Sequence, residues 1–249
     1  MKSYFGVGYI IKQGKTSVQF WVTSPSDLNK IIVHFDTCPL ITKKRSDFEL
    51  FKKVVEMLNC KEHLTMEGFQ KIVAIKAFIN KGLPDELKSA FPSVVDFVAA
   101  QVETPIGIQS KITIDPDWVG GFASGEGCFY IKITTSSSYK TGFQVSLRFS
   151  ITQHLRDQLL LENLVKFFGC GYYQPNIAKN HGDFIVTKLS DLNDIILPFF
   201  DKYKIIGEKS RDFEDFKKVA ELMNNKAHLS EQGLAQIMSI KSNMNKGRK

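Results

Sequence analysis

One stretch of this chain occurs twice. Asp47 to Gly82 reads DFELFKKVVEMLNCKEHLTMEGFQKIVAIKAFINKG, and Asp212 to Gly247 reads DFEDFKKVAELMNNKAHLSEQGLAQIMSIKSNMNKG. The two align without a gap, and about half the positions are identical. Upstream, Ser26-Asp27-Leu28-Asn29 matches Ser190-Asp191-Leu192-Asn193, and Phe5-Gly6-Val7-Gly8-Tyr9 matches Phe168-Gly169-Cys170-Gly171-Tyr172. The register slips slightly over this span, as hairpin loops of unequal length require. A period this long is not that of a solenoid. It is a duplicated domain, and such copies usually pack as a pseudo-two-fold pair. Residues from about Ile114 to Leu164 have no counterpart in the first copy. The reading is therefore a partial repeat over 1–82, a linker over 83–113 and a complete repeat over 114–249.

The complete repeat opens with a helix. Asp115 or Asp117 supplies the cap and Pro116 suits the first turn. Gly120, Gly121 and Ala123 follow within about one turn. Glycine weakens a helix by about 1 kcal/mol relative to alanine, so these positions predict close approach of another backbone. Gly127 is a natural stop. The runs Cys128–Thr134 and Phe143–Thr152 then alternate apolar and polar with period two, which predicts an antiparallel hairpin with one solvated face. Asp157 to Phe168 reads as a helix with Leu160, Leu161, Leu164, Val165 and Phe168 on one side. Short strands follow near 170–174 and 183–188, then helices near 189–203, 210–224 and 230–245. The fold class is α+β: helices cover the apolar face of one four-stranded sheet, and the polar face stays open.

Composition excludes several classes. Hydrophobic residues make up 43% of the chain and charged residues 24%, enough for a real core and against wholesale disorder. No run of about 18 apolar residues predicts a membrane span, and no cleavable leader is apparent. The four cysteines and five histidines make no zinc spacing, so Cys38, Cys60, Cys128 and Cys170 read as free, mostly buried thiols. Gly6-Val7-Gly8 lacks the rest of a dinucleotide fingerprint and reads as strand-turn geometry. The net charge of +7 suits a polyanionic partner without demanding one.

Val119 to Gly127 (VGGFASGEG) resembles the signature nonapeptide of the LAGLIDADG homing endonucleases. Its flanks are similar too: Asp115-Pro116-Asp117-Trp118 before it, Ile151-Thr152-Gln153-His154 in the second strand, Lys209 ahead of Asp212-Phe213, and the closing Met244-Asn245-Lys246-Gly247-Arg248. The segment from Gly82-Leu83-Pro84 to Phe91-Pro92 resembles the linker of the single-chain, two-repeat members found in fungal mitochondrial introns. The resemblance implies αββαββα modules in pseudo-two-fold tandem. It implies two signature helices side by side, each ending in a carboxylate. Paired acids would hold divalent metal, expected as Mg2+, for phosphodiester hydrolysis. It further implies double-stranded DNA as partner and a mitochondrial location.

Glu126 is the candidate catalytic acid and metal ligand, with the Gly125 carbonyl beside it. An acid at a helix C-terminus opposes the macrodipole and calls for a compensating cation. Lys209, with its repeat twin Lys44, is expected to stabilise transition-state charge or to contact phosphate. Gln153 resembles a position that organises water. On the open sheet face, Tyr130, Lys132, Thr134, Gln144, Ser146 and Arg148 are expected to contact DNA, with Arg suited to guanine and Gln to adenine. Tyr139 and Lys140 at the hairpin tip suit phosphates. Lys12, Gln13, Lys15, Gln19 and Trp21 are weaker candidates in the first copy. His63 and His228 read as packing residues.

The partial first copy leaves three explanations open: a reading frame that starts upstream, a degenerate remnant, or a missing piece supplied by another chain. It also predicts self-association through Phe122 and its glycine-rich stripe. Endonuclease is the leading function. An RNA-binding maturase for group I intron RNA on the same fold, and an inactive remnant, are the alternatives.

Overall fold

The computed structural model describes residues 1–15, 17–80, 82–92, 94 and 113–247. Most of the expected linker, residues 95–112, lies outside them. The chain forms two compact units, Met1–Ser110 and Lys111–Lys249.

The second unit begins with α6 (Pro116–Glu126) and β3 (Gly127–Thr135), then β4 (Phe143–His154), α7 (Gln158–Phe168), β5 (Tyr172–Asn176) and β6 (His181–Val186). Three helices follow: α8 over 189–202, α9 (Lys209–Asn224) and α10 (Glu231–Ser242). The sheet is antiparallel with order β3-β4-β6-β5. Of the two candidate caps for α6, Asp115 serves: its Oδ1 accepts from the Trp118 N–H at 2.9 Å. Gly120 is required because a Cβ there would lie 2.9 Å from the Tyr203 carbonyl oxygen. The expected close approach is thus to the segment after α8. Gly121 meets nothing within 4 Å, and the structure does not explain it. Gly127 ends α6, but not as a left-handed cap. Its φ is −68°, and it starts β3 directly. Glycine is needed because a Cβ would lie 2.6 Å from the Ala123 carbonyl oxygen.

Period two holds through the sheet. Phe129, Ile131, Val145, Leu147, Phe149, Ile151, Phe184 and Val186 point into the core. Phe200, Phe213, Phe216 and Val219 meet them from α8 and α9. Burying each such side chain contributes about 1.5–3 kcal/mol. The α8 segment is not the uniform helix its sequence suggests. A helical turn (Leu189–Asp191) passes into a π segment (Leu192–Ile196) and back to α (Leu197–Lys202). Pro198 accounts for this: its ring cannot donate to, and crowds, the carbonyl four residues back, and a π turn opens that space.

The first unit has α1 (Lys2–Phe5), β1 (Tyr9–Gln13), β2 (Ser17–Trp21), α2 (Pro25–Thr37), α3 (Lys44–Asn59), α4 (Met66–Phe78) and α5 (Asp85–Ala90). Among the described residues its sheet is the single hairpin β1-β2. The start of the expected linker is structured: Leu83, Leu87 and Phe91 pack on Val73 and Ala74 of α4. The glycine pairs behave as strand-turn geometry. Gly6 and Gly169 both have φ 66°, and Gly8 and Gly171 both have φ 77°.

The cysteines depart from expectation. Only Cys170 is buried, and Cys38, Cys60 and Cys128 are exposed. Cys128 occupies a polar-face position of β3, which is why period-two patterning brings it out. No helix among the described residues is long and apolar enough to cross a membrane.

Candidate active site and nucleic-acid interface

Glu126 is the last residue of α6 and is exposed. The cation it calls for is present. Lys209, first residue of α9, donates from Nζ to the Gly125 carbonyl at 2.7 Å and to the Ala123 carbonyl at 3.4 Å. It therefore satisfies the open carbonyls of the α6 C-terminus, where a positive charge is favoured. Burial holds the Lys209 ammonium below the usual lysine range, while Glu126, Cys128 and Asp212 draw it back up. The preceding segment is fastened too. Ser124 Oγ donates to the Gly120 carbonyl at 2.7 Å and accepts from the Ile206 N–H at 2.8 Å. The segment 203–209 thus clasps α6 along one side and delivers Lys209 to its end.

Strand register places the remaining candidates. Gly127 opposes Ile151, so the end of β4 flanks the end of α6. Gln153 shares parity with Phe149 and Ile151 and is half-buried. It therefore lies on the helix side of the sheet, at that same end. Tyr130, Lys132, Thr134 and Gln144 are exposed on the opposite, uncovered face, with Ser146 and Arg148 half-buried among them. Tyr139 and Lys140 sit in the β3–β4 turn, where Gly142 (φ 75°) donates to the Tyr139 carbonyl at 2.9 Å. Arg148 is not free: its guanidinium lies 3.7 Å from Asp183 Oδ2.

The donor set at the α6 end tests the expected metal. It comprises one carboxylate, Glu126, and one carbonyl, Gly125. No group of three or more His, Cys, Asp or Glu able to hold an ion occurs among the described residues. Mg2+ usually takes one or two carboxylates together with water and substrate phosphates. The set fits an ion shared with a phosphate backbone, not one caged by protein. Glu126 is the stronger donor, because the Gly125 oxygen already accepts from a cation.

A family model described as LAGLIDADG endonuclease matches residues 1–55 and 119–220. The chain belongs to this family. It is 40% identical, over 98% of its length, to "Probable intron-encoded endonuclease 2" of Neurospora crassa, and covers 54% of that protein. It is 39% identical over 93% of its length to "Probable intron-encoded endonuclease 3" of the same organism, covering 43% of it. The chain thus spans about half the length of these relatives. Among solved structures it resembles the I-SmaMI LAGLIDADG homing endonuclease bound to cleaved DNA, with a TM-score of 0.94 and 44% identity over 100% of this chain and 81% of that one. I-SmaMI has also been solved on uncleaved DNA in the presence of calcium ions.

In this LAGLIDADG chain the first-copy candidates divide by register. Gln13, Gln19 and Trp21 share one face of the β1-β2 hairpin with Tyr9 and Ile11, the face equivalent to the open face of the second unit. Lys12, cross-strand from Val18, points to the other side, and Lys15 lies in the turn. Lys44 begins α3 and is exposed. Two residues escaped sequence reasoning. Asp183 lies on the open face, accepts a hydrogen bond from Thr152 Oγ1 and pairs with Arg148. The alternation His181, Asp183, Ile185 in β6 was its signal. Lys241 of α10 places its ammonium 5.7 Å from the Tyr130 ring centroid. No local pattern marks it, since only the fold brings α10 beside β3.

Proposed function

We propose that this chain is a sequence-specific endonuclease of double-stranded DNA that hydrolyses phosphodiester bonds with a divalent ion, Mg2+ by preference. We propose also that it is encoded in an intron of a fungal mitochondrial gene and acts in that organelle. The observation that carries the reading is the end of α6. An exposed carboxylate, Glu126, stands beside a half-buried lysine fixed to the adjoining carbonyls, at the edge of an uncovered polar sheet. The intron-encoded relatives and the DNA-bound neighbours support it.

Glu126, with the Gly125 carbonyl as the weaker contributor, would hold the ion. A divalent ion bound there supplies charge neutralisation on the phosphate and a more acidic water. The chain's own residues do the rest. Lys209 keeps positive charge beside the scissile phosphate without needing to reorganise, and such preorganised charge is a large catalytic term. Gln153, on the helix side of the strand end, orients water. Tyr130, Lys132, Thr134, Gln144, Ser146 and Arg148 read base edges in the major groove, and Tyr139 and Lys140 hold the phosphates.

The test uses the 249-residue chain and a duplex library with a randomised segment of about 30 bp, three turns of B-DNA. Selected duplexes are incubated with Mg2+, with Ca2+ and with chelator. Cleavage with Mg2+ and none with chelator is expected. Glu126→Gln should lower cleavage by about a hundredfold or more, the scale of a lost transition-state charge contact, with binding retained. Sequence-selective binding without cutting under any ion, or full cleavage by Glu126→Gln, overturns the reading.

A further inference from the structure

Among the described residues, the open face of the second unit carries one aliphatic residue that should be wet. Ile185 of β6 has the parity of Asp183, so it points to the polar side, yet it is only 1% exposed. Its cross-strand neighbour Ser150 is also buried. Arg148 explains part of this cover. Arg148, on β4, lies opposite Tyr130 of β3, whereas Asp183 pairs with Thr152, four residues further along β4. For its guanidinium to lie 3.7 Å from Asp183, the Arg148 side chain must run along the sheet and over the Ser150–Ile185 pair. Long arginine stems cover apolar surface in this way.

The direction matters. The Thr152–Asp183 row flanks Ile151, which opposes Gly127 at the end of α6. Arg148 therefore delivers its guanidinium from the middle of the sheet to the row next to Glu126. Asp183 is itself held by Thr152 Oγ1. Arg148 Nε is buried without a hydrogen-bond partner among the described residues, so packing, not a full set of donors, fixes the stem. The equivalent position in the first copy is Gln19, paired with Ile11 as Asp183 is with Gln174. The first copy has no such acid at this place.

We propose that Asp183 is a positioning residue for base recognition: it lays Arg148 along the sheet so that the guanidinium meets a guanine in the base pairs nearest the cleavage centre. An acid on a DNA-facing surface weakens phosphate binding, so its presence there needs a compensating role. Aiming an arginine supplies one, because bidentate guanine recognition depends on guanidinium orientation. The proposal rests on the DNA-binding reading above.

The experiment compares selection profiles of the full chain and its variants on the same randomised duplex library, at fixed salt. The unsubstituted chain should prefer G·C at one of the central positions. Arg148→Ala should lose that preference by about tenfold to a hundredfold. Asp183→Ala should lose it at the same position, with other positions unchanged, and the double variant should lose no more than either single one. Asp183→Glu, which restores the charge, should recover part of it. If melting shows that Asp183→Ala is unfolded, Asp183→Asn takes its place with the same expectation. The proposal falls if Asp183 variants change a different position from Arg148→Ala. It falls equally if they only raise affinity uniformly across sequences, or if Arg148→Ala leaves the central preference intact. If the unsubstituted chain selects no sequence at all, the DNA-binding reading fails first, and that result is distinct from the others.

Discussion

The two copies of the repeat share a set of caps, clasps and ion pairs and differ in their burial. Thr65 Oγ1 accepts from the Gly68 N–H at 3.1 Å, and Ser230 Oγ accepts from the Gly233 N–H at 3.1 Å. Asp47 accepts from the Asn80 N–H, as Asp212 does from Asn245, and both asparagines are left-handed. Lys52 pairs with Asp36 as Lys217 does with Asp201. Yet Phe216 is fully buried while its twin Phe51 is 37% exposed. Phe184 and Phe200 are fully buried, and their twins Phe20 and Phe35 are only half-buried. The difference lies in β3 and β4, whose Phe129 and Phe149 complete the aromatic core of the second unit. No strand takes their place among the described residues of the first. Caps, turns and clasps are local and follow the sequence wherever it recurs. Burial is a property of what stands opposite.

Truncating the twins should separate these levels most widely. Phe216→Ala should cost about 3–5 kcal/mol, the usual penalty for emptying a filled core. Phe51→Ala should cost well under half of that, because its side chain still meets water. Unit-resolved hydrogen exchange is the suitable measurement, since two units need not unfold as one transition. Equal losses would mean that the first unit is packed as tightly as the second. The aspartate clasp comes next. Asp212→Ala strands the Asn245 N–H in a half-buried place and should cost about 1–3 kcal/mol. Asp47→Ala should cost less, as its bond is longer, 3.4 Å against 3.0 Å.

This split also explains what the sequence made legible. Period two in β3 and β4 identified the core face and the open face, because one side of that sheet is dry and the other wet. A cap at Asp115 or Asp117 and the end of α6 at Gly127 were readable as local chemistry, whereas Lys209 ahead of Asp212 was readable only through the family resemblance. Other features depend on distant partners. Gly120 is small because Tyr203 passes over it. Arg148 lies down because Asp183 holds it, and that pairing crosses from one hairpin to the other. The π segment before Pro198 was encoded locally, but the apolar periodicity of 189–203 masked it. The cysteines failed by residue type: a small apolar side chain is usually inside, and β3 parity brings Cys128 out.

The N-caps should fall together. Ser230→Ala and Thr65→Ala remove the same bond from the same motif, so each should cost about 1 kcal/mol in its own unit. A cap that mattered in one copy only would show that core packing overrides the local signal. The motif is tight in both places: a Cβ on Gly68 or Gly233 would lie 2.0 Å from a backbone carbonyl oxygen.

The smallest expected effect is that of the twin ion pairs, and its pH dependence is the sharpest check on their equivalence. Hydrogen bonding to Asp36 and to Asp201 raises Lys52 and Lys217, respectively, above 10.5. A lysine whose folded value exceeds its unfolded one contributes stability while both states are protonated. That contribution is complete below about 10.5 and is lost as pH rises through the folded value. Both pairs are only half-buried, so solvent screening still keeps the effect slight and salt should shrink it further. Lys52→Met and Lys217→Met should therefore each lower stability slightly at neutral pH, and the deficit should vanish in strong alkali. If only Lys217→Met shows the deficit, the pair draws its strength from the filled core around α9, and the two copies are alike in geometry alone.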